Sequence, residues 1–287
     1  MGREGDGRAR EGDGRGGRVT AGVRNLSPVM PAQAGTHERA GRQARQSGAD
    51  RSTLSASARS AMPLPLLSDL QAAIVDLDGT MVDTQGDFVV ALNLTLAELA
   101  LPGVDRAFVE RTVGKGSEHL LRSTLAQVGG DAALYDAAWA AYQRHYLAIN
   151  GQHSEVYPGV VEGLTRLRAA GLRLACLTNK PLGFARPLLA AKGLDGFFEL
   201  TFGGDSFARK KPDPMPLVET CRALGTDPAR TLMIGDSRND AEAARGAGCP
   251  VVLLSYGYNH GEPVREVPAD GWFDRIDDLA QPLGLPG

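Results

Sequence analysis

Two aspartates separated by one residue, Asp76 and Asp78, follow a short apolar run over Ala72–Val75. The run predicts a buried parallel strand. Because side chains alternate along a strand, two acids spaced by two can face one side if the extended backbone continues past the strand end. Gly79 lets the backbone turn closely, and Thr80 adds a hydroxyl and a backbone N–H beside the pair. Two acids after a strand also fit a solvated turn, so the choice depends on the polar groups that follow later strands.

Later strands end in polar groups as well. Apolar runs predict strands at 172–177, 197–202, 231–234 and 251–254, and helical patterns cover 160–170, 187–192, 215–224 and 241–247. Strands that alternate with helices predict an α/β fold, in which a parallel sheet carries helices on both faces. Such sheets bind ligands at the carboxyl ends of their strands. Four polar residues follow predicted strand ends: Asp76, Asp78, Thr178 and Asp236. This placement favours a shared site over a solvated turn.

The connection between the first strand and the strand at 172–177 is too long for a loop. Helical spacing of apolar residues covers 88–101, 117–128 and 132–149, with Pro-Gly and Gly-Gly pairs between these segments. We therefore expect a helical domain over 85–157, inserted into a core formed by 67–84 and 158–287, with a flexible joint at each end.

The clustered acids suit a hard divalent cation that prefers oxygen ligands. Asp76 and Asp236 supply carboxylates, and a backbone carbonyl near Asp78 together with water can complete an octahedron, which makes Mg²⁺ the expected ion. Without a cation the acids would repel one another, so either the metal or Lys211 must compensate their charge. Lys211 can also bridge the Asp76 carboxylate and a phosphoryl oxygen, while Thr178 can donate a hydrogen bond to a second oxygen.

A phosphate ester held in this way can react with Asp76. Attack of the carboxylate on phosphorus forms an aspartyl-phosphate, which is a recognised form of covalent catalysis. Asp78 would protonate the departing alkoxide and then take a proton from the water that hydrolyses the intermediate. The positive surroundings lower the cost of charge on the equatorial oxygens of the transferring group. The residues therefore predict phosphoryl transfer.

Four segments resemble, in order, the four motifs of the haloacid dehalogenase (HAD) superfamily: D-L-D-G-T at 76–80, T-N-K at 178–180, K-K-P-D-P at 210–214 and G-D-S-R-N-D at 235–240. The resemblance covers nearly everything after Ser68. It implies a Rossmann-like parallel sheet core, the HAD fold, with an inserted α-helical cap. It also implies that Asp76 is the nucleophile, that Asp78 is the acid and base, and that Asp236 binds the metal.

The expected site is larger than these three residues. The predicted catalytic residues are Asp76, Asp78, Thr178 and Lys211, the predicted substrate-binding residues are Thr80, Lys115, Asn179 and Lys180, and the predicted metal ligands are Asp76, Asp78, Asp236 and Asp240. The expected cofactor is Mg²⁺, and the expected partner is a small phosphorylated metabolite.

Within the superfamily the second acid discriminates between reactions. Haloacid dehalogenases lack it because halide leaves without a proton, phosphonatases have a small residue there, and transport ATPases have threonine. Asp78 therefore points to phosphate monoesters. Phosphomutases of the β-phosphoglucomutase type keep both acids and stay open as an alternative. An inactive HAD-like binding module is a further alternative, although the motif residues that it would have lost are all present.

Further segments resemble the bacterial phosphoglycolate phosphatases: V-G-K-G at 113–116, Y-P-G-V at 157–160, G-G-D-S at 203–206 and Y-G-Y-N at 256–259. The resemblance implies hydrolysis of 2-phosphoglycolate, with Lys115 and the N–H groups of its glycine loop as candidate donors to the small carboxylate. One departure is Gln85-Gly86, near which a proline is common. Relatives that act on sugar phosphates, including N-acetylmuramic acid 6-phosphate, share much of the pattern and remain an alternative. The scattered histidines are expected to be structural or exposed: His119, His145, His153 and His260.

The first 61 residues contain no Ile, Phe, Tyr or Trp. Such a segment cannot bury enough apolar surface to offset its ordering entropy, so we predict a disordered tail over 1–66. Three explanations compete: an Arg/Gly arm that contacts nucleic acid, a targeting peptide, and upstream sequence read in frame before a true start at Met62. The composition shift at Met62 favours the third, because G-R-G-G-R occurs once without aromatics and acids are mixed among the arginines.

The tail carries 11 Arg and 6 acids, a net charge of +5, while the whole chain carries −3, which leaves −8 on the remainder. An acidic catalytic part argues against a nucleic-acid partner for it. No apolar run approaches the roughly 20 residues needed to span a bilayer, so no membrane partner is expected. The three cysteines follow no metal-ligand pattern, and reduced thiols without a signal peptide predict a cytoplasmic protein.

Overall fold

The computed structural model describes residues 69–284, and the predicted tail over 1–66 and the proposed start at Met62 lie outside them. The strands in chain order are β1 (Ala72–Val75), β2 (Val82–Asp83), β3 (Glu155–Val156), β4 (Arg173–Leu177), β5 (Leu200–Phe202), β6 (Thr231–Gly235), β7 (Val251–Leu254) and β8 (Gly271–Phe273). The helices are α1 (Gln85–Glu98), α2 (Arg106–Thr112), α3 (Ser117–Gln127), α4 (Tyr135–Ile149), α5 (Val160–Ala169), α6 (Leu182–Ala191), α7 (Met215–Leu224) and α8 (Arg238–Ala247).

Within residues 69–284, six strands form one parallel sheet in the order β5-β4-β1-β6-β7-β8. β1 lies in the interior of the sheet, where Ala72 pairs with Arg173 of β4 on one side and with Thr231 of β6 on the other. Helices cover both faces of this sheet. The predicted α/β fold with a parallel sheet is confirmed.

Both faces of β1 are buried. Ala73 and Val75 pack with α5 and α6, whereas Ala72 and Ile74 pack with α7 and α8. None of the four side chains has exposed surface. A strand that is covered on both faces must be apolar at every position, which is why β1 is a continuous apolar run in the sequence. The first polar residues therefore come at the edge of the sheet, where side chains can reach a ligand.

Helices α1 to α4 form the insertion between β2 and β3. Their core contains the rings of Phe88, Tyr142 and Tyr146, and the centroid of the Phe184 ring of α6 lies 4.9 Å from that of Tyr146. Aromatic rings bury large areas and pack at fixed angles, so they suit a contact between helices of different origin. One aromatic cluster thus joins the insertion to the core. The domain boundaries expected at 85 and 157 stay a prediction.

The two connections between the insertion and the core form a short antiparallel ribbon. Val82 of β2 pairs with Val156 of β3, and Asp83 pairs with Glu155. Strands of two residues carry no periodic pattern, so the sequence did not predict them. The ribbon places the two chain segments that connect the insertion to the core next to each other. Any movement of the insertion relative to the core must therefore change the geometry of these two segments.

The loop that returns from α4 is held by Asp87 of α1. Its carboxylate oxygens accept hydrogen bonds from the N–H groups of Gly151 and His153, each at 2.8 Å. From the core, Lys192 donates its Nζ to the Gly151 carbonyl oxygen at 2.7 Å. Asp87 is fully buried, and hydrogen bonds in such surroundings are stronger than in water. The return loop is therefore held by the insertion and by the core.

Several elements differ from the sequence-based expectations. α1 begins at Gln85 instead of 88, and 195–197 forms a 3₁₀ turn, so that β5 starts later than the predicted strand at 197–202. Neither α2 nor β8 was predicted, and 251–254 is therefore not the last strand. These elements have seven and three residues, which is too short for a reliable period.

The cysteines occupy buried positions. Cys176 lies within β4 and packs in the core, and Cys221 and Cys249 are also buried free thiols. Among the residues that the structure describes, no helix is long and apolar enough to cross a membrane.

Replacement of Asp87 by alanine tests whether the hydrogen bonds to its carboxylate stabilise the return loop. Asp87→Ala leaves two N–H groups without their acceptor, and we expect the free energy of unfolding to fall by about 2–4 kcal/mol. Urea unfolding at an unchanged m value measures the loss. Glu110→Ala removes an exposed acid from α2 and should change stability by less than about 0.5 kcal/mol. Equal effects of the two substitutions would contradict the role given to Asp87.

Candidate active site

The carboxyl edge of β1 carries the candidate site. Asp76 follows β1 directly, its N–H donates to the Ile234 carbonyl oxygen of β6 at 2.9 Å, and the residue is only 8% exposed. The backbone then turns at Gly79, which has a φ of +85° and where an added Cβ would lie 2.5 Å from Asp236 Oδ2. Glycine is needed here because the turn adopts a left-handed conformation and presses the backbone against the neighbouring acid.

Lys211 is the cation of this edge. Its Nζ lies 2.9 Å from Asp76 Oδ1 and 2.7 Å from Asp240 Oδ1, and it donates to the Leu177 carbonyl oxygen at 2.8 Å. The side chains of these three charged residues are at most 12% exposed. Burial by itself would lower the pKa of Lys211, but the two carboxylates outweigh it and raise that pKa above its usual value. Lys211 therefore keeps its positive charge beside Asp76.

Three carboxylates meet at the same edge. Oxygens of Asp76, Asp236 and Asp240 lie within 4.8 Å of one another. Burial raises the pKa of Asp236 well above its usual value, and the charges of Asp240 and Asp76 raise it further. Burial also raises the pKa of Asp76, to about 7, although Lys211 opposes this shift. One lysine thus does not neutralise the cluster, and a divalent cation would complete the compensation.

The carboxylate oxygens fit a hard cation. Asp76 Oδ1 is buried and has Lys211 Nζ, at 2.9 Å, as its polar neighbour, so the carboxylate keeps lone pairs for a ligand. Asp236 Oδ1 accepts from Thr80 Oγ1 at 2.9 Å, and its Oδ2 accepts from the Tyr258 N–H at 2.8 Å, which fixes the orientation of this carboxylate. Both oxygens of Asp240 are already bound by neighbouring side chains. Asp76, Asp236 and Asp240 could hold a metal ion between them, and the hydrogen bonds to Asp236 and Asp240 fix the orientation of these two carboxylates.

Asp78 lines the same cavity and is paired with Lys180. Asp78 Oδ1 accepts from Lys180 Nζ and from Thr84 Oγ1, each at 2.7 Å. The Lys180 side chain is 1% exposed, and its Nζ lies 4.3 Å from the centroid of the Phe88 ring and 4.9 Å from that of Tyr146. Rings of the insertion thus cover an ion pair of the core. Both bonds go to Oδ1, which leaves Oδ2 of Asp78 available for proton exchange. The Asp78 carboxylate is not one of the three clustered carboxylates, and the metal contact predicted near Asp78, through a backbone carbonyl, stays a prediction.

The residues after β4 are brought to the cavity as predicted. Thr178, Asn179 and Lys180 line it together with Lys211. Asn179 Nδ2 donates to the Gly114 carbonyl oxygen at 2.9 Å and to the Lys211 carbonyl oxygen at 2.8 Å. Since Gly114 belongs to the insertion, the Asn179 amide connects the insertion to the core, and its donor is already used in the absence of substrate.

Two predicted substrate-binding residues do not line the described cavity. Thr80 is fully buried, and its hydroxyl is bound to Asp236. Lys115 is exposed, although its neighbours Gly114 and Gly116 line the cavity. Substrate binding by these two side chains stays a prediction that the lining of this cavity does not support. The reason is local in both cases, because Thr80 is turned towards the carboxylate of the next strand and the glycine loop presents its backbone to the cavity.

Other cavity residues were not predicted from the sequence, among them Asn239, Tyr258 and His260. Asn239 Nδ2 donates to the Gly114 carbonyl oxygen at 3.1 Å and lies 3.3 Å from His260 Nε2. Burial, and then the charge of Lys115, lower the pKa of His260, which favours the neutral ring. His260 was expected to be structural or exposed. Their positions in the sequence could have identified these residues. Asn239 lies next to Asp240 of the fourth motif, and His260 directly follows Y-G-Y-N.

The cavity is small and lies between the core and the insertion. Its lining from the insertion includes Val113, Ser117 and Leu120. The space that the centre of a water molecule can reach is about 30 Å³. Only a small group fits beside the carboxylates in this arrangement.

This fold and site agree with what is found in known proteins. The model of the haloacid dehalogenase-like hydrolase family matches residues 70–248, which include the four motifs at 76–80, 178–180, 210–214 and 235–240. The chain belongs to the haloacid dehalogenase-like hydrolases.

Individual relatives of the chain cover its described part almost completely. A phosphoglycolate phosphatase from Thiobacillus denitrificans is 43% identical over 221 residues, which are 76% of this chain and 96% of the relative. The crystal structure of a predicted phosphoglycolate phosphatase from Haemophilus somnus has a TM-score of 0.71 and 32% identity, covering 74% of this chain and 97% of that one. A mutant of CbbY from Rhodobacter sphaeroides in complex with xylulose-(1,5)bisphosphate has a TM-score of 0.64 and 25% identity, covering 73% and 96%.

The superfamily, the fold and the enzyme class predicted from the sequence are thereby confirmed. This haloacid dehalogenase-like hydrolase is a phosphatase with a Rossmann-like parallel sheet. Its carboxylate cluster could hold a metal ion. The roles of the individual site residues stay predictions.

The buried carboxylates make the stability of the metal-free protein depend on pH. Asp76 has a pKa of about 7 in the folded protein against an ordinary value of 3.8, so the folded state binds more protons between these values. The stability that Asp76 contributes is therefore complete below its unfolded pKa and is lost as pH rises through about 7. We expect the Tm of chelator-treated protein to fall between about pH 4 and pH 7, and saturating Mg²⁺ to reverse much of the fall at the higher pH.

Calorimetry of the Asp76→Asn variant provides the control for this pH dependence. The variant has no carboxyl proton to lose at position 76, so its Tm should fall less over the same pH range. If the Tm of the native chain and the Tm of Asp76→Asn fall by the same amount, Asp76 is not a source of the pH dependence of stability.

Proposed function

We propose that this chain is a Mg²⁺-dependent phosphatase that hydrolyses 2-phosphoglycolate to glycolate and phosphate through an aspartyl-phosphate on Asp76. One observation carries the proposal: a buried ion pair between Lys211 and Asp76 shares a small cavity with a second acid, Asp78. This arrangement supplies a nucleophile, a fixed cation and a proton carrier around a space for one phosphoryl group.

In the first step a carboxylate oxygen of Asp76 attacks phosphorus. A P–O bond to Asp76 forms as the bond from phosphorus to the ester oxygen breaks, and the electron pair leaves with that oxygen. Asp78 donates its proton to the leaving oxygen, which departs as the alcohol. Lys211, 2.9 Å from Asp76, offsets the charge on the phosphoryl oxygens, and Thr178 is the hydroxyl donor that lines the cavity next to it.

In the second step water attacks the phosphorus of the aspartyl-phosphate. Asp78, now ionised, takes a proton from this water, and the P–O bond to Asp76 breaks to free phosphate and the carboxylate. Lys180 and Thr84 bind Asp78 Oδ1, so Oδ2 is the oxygen that carries the proton in both steps. The insertion closes the cavity and keeps other water away from the intermediate.

Mg²⁺ is the ion that we propose for the carboxylate cluster. Asp76 and Asp236 would hold it, and when bound it would offset the negative charge of the carboxylates and of the substrate phosphate. The chain prepares this position with its own contacts. Thr80 and Tyr258 fix the two oxygens of Asp236 by hydrogen bonds at 2.9 and 2.8 Å.

The choice of 2-phosphoglycolate is supported by the cavity and by the relatives. A relative named phosphoglycolate phosphatase is 43% identical over 96% of its own length. The hydrogen bonds from Asn179 and Asn239 to the Gly114 carbonyl oxygen cross the cavity, which favours a two-carbon ester over a hexose phosphate. Ser117, at the start of α3, lines the cavity, and the N-terminus of a helix favours an anionic group such as the substrate carboxylate. This helix start replaces the Lys115 side chain as the candidate partner of the carboxylate.

A sugar phosphate is the second candidate substrate. The CbbY mutant, which is 25% identical to this chain, was crystallised with xylulose-(1,5)bisphosphate. A substrate of that size would require the insertion to move away from the core, because Gly114 is bound to Asn179 and Asn239 across the cavity.

Comparison of substrates tests the proposal. We expect the kcat/KM of Mg²⁺-dependent phosphate release from 2-phosphoglycolate to exceed that from N-acetylmuramic acid 6-phosphate and hexose phosphates by about a hundredfold, or about 2.7 kcal/mol of transition-state binding. Asp76→Asn should abolish release, because the amide cannot form the aspartyl-phosphate. Asp195→Asn changes an exposed acid outside the cavity and should leave activity unchanged.

Each failure has a separate meaning. Equal or faster turnover of a sugar phosphate would remove the substrate assignment and leave the mechanism in place. Turnover by Asp76→Asn at the native rate would remove the covalent mechanism. Binding of these esters without any release of phosphate would identify a binding module.

A further inference from the structure

Tyr258 touches a proposed metal ligand at one end and the joint of the insertion at the other. Its N–H donates to Asp236 Oδ2 at 2.8 Å. Its phenol oxygen accepts the Thr84 N–H at 2.7 Å and donates to Asp83 Oδ1 at 2.8 Å. One residue thus spans the distance from the carboxylate cluster to the place where the chain enters the insertion.

Asp83 and Thr84 form the joint itself. Asp83 ends β2 and pairs across the ribbon with Glu155 of β3, and Thr84 directly precedes α1. Asp83 Oδ1 also accepts the Gln85 N–H at 3.1 Å, and its Oδ2 pairs with Arg106 of α2 at 2.9 Å. The phenol therefore bonds to the two residues, Asp83 and Thr84, whose backbone must change when the insertion rotates relative to the core.

The loop that carries Tyr258 is anchored on the core. In the same loop, Tyr256 donates its hydroxyl to the Thr80 carbonyl oxygen at 2.6 Å, and its ring lies against Tyr157 with centroids 4.1 Å apart. Tyr258 is 6% exposed, and burial raises its pKa well above the usual value, so the phenol stays protonated and donates to Asp83. Because an aromatic ring is rigid, a shift of the joint must either break these bonds or move the backbone N–H that holds Asp236.

We propose that Tyr258 couples the binding of the divalent cation at Asp236 to the position of the insertion. A cation held by Asp236 would share this carboxylate with the Tyr258 N–H, so it would favour one position of the loop and hence one geometry of Asp83 and Thr84. By linkage, the same geometry of the joint must bind the cation more tightly. Tyr258 is a positioning residue, since it acts through Asp236 and the joint. The inference rests on the proposed cation site.

Hydrogen–deuterium exchange of the ribbon amides at 82–83 and 155–156, with and without Mg²⁺, tests the coupling. Tyr258→Phe removes only the hydroxyl and keeps the N–H that binds Asp236. Tyr256→Phe is the matched control, because it removes a hydroxyl from the same loop that bonds to Thr80 and not to the joint. Isothermal titration calorimetry measures Mg²⁺ binding to each protein, so that loss of the coupling and loss of the cation site are distinguished.

We expect Mg²⁺ to slow exchange of the ribbon amides by about fivefold in the native chain and in Tyr256→Phe, and by less than about twofold in Tyr258→Phe. Tyr258→Phe should also bind Mg²⁺ about fivefold more weakly, because the geometry of Asp83 and Thr84 no longer stabilises the bound cation. If circular dichroism shows that Tyr258→Phe does not fold, Asp83→Ala removes one of the two bonds between the phenol and the joint and should reduce the effect of Mg²⁺ on the ribbon in the same direction.

Two outcomes would overturn the inference and leave the proposed function intact. One is an equal effect of Mg²⁺ on the ribbon in the native chain and in Tyr258→Phe when both bind the ion. The other is Mg²⁺ binding to the native chain without any effect on the ribbon. Failure of the native chain to bind Mg²⁺ would remove the inference together with the cation site of the proposed function.

Discussion

The contact between Lys211 and two buried carboxylates is the interaction on which the rest of the structure depends. Asp76 and Asp240 lie among side chains that exclude water, where like charges repel strongly, and the ammonium group sits 2.9 and 2.7 Å from them. A buried lysine is itself costly unless its hydrogens are used, and the Leu177 carbonyl oxygen accepts the third bond. These groups come from three distant parts of the sequence. They meet because β5, β4, β1 and β6 are consecutive neighbours in one parallel sheet, whose carboxyl ends share an edge.

The second lysine of the site differs from the first in what surrounds it. Lys211 is held by residues of the core alone, whereas Lys180 pairs with Asp78 and lies over Phe88 and Tyr146 of the insertion. The residues around the proposed nucleophile, Asp76, therefore all belong to the core. The surroundings of the proposed acid and base, Asp78, are complete only when the rings of the insertion cover its partner Lys180. This division suits a phosphatase of this family, because proton transfer to a leaving group needs a cavity that the substrate can enter and that then excludes water.

The insertion is joined to the core by few but specific contacts. The ribbon of β2 and β3 is two residues long in each strand, and the other contacts are the aromatic cluster around Phe184 and polar contacts with buried partners, such as Asp87 with the return loop. The loop after β7 adds contacts from the core side through Tyr258, and the Gly114 carbonyl oxygen is bound by Asn179 and Asn239. Directional hydrogen bonds at a short joint allow a limited set of positions for the insertion, in contrast to a large apolar interface, which would fix only one.

The sequence by itself determined the central strands, the alternation of strands with helices and the chemistry of the sheet edge. The limits of β1, α7 and β7 agree with the predictions, because strands buried on both faces are apolar throughout and their first polar residue marks their end. Only the tertiary structure decided which polar groups touch: Thr80 binds Asp236, Lys115 faces solvent, and Lys180 pairs with Asp78, 102 positions away. Local patterns report burial along one element, whereas the direction of a polar side chain is set by partners that distant segments bring to it.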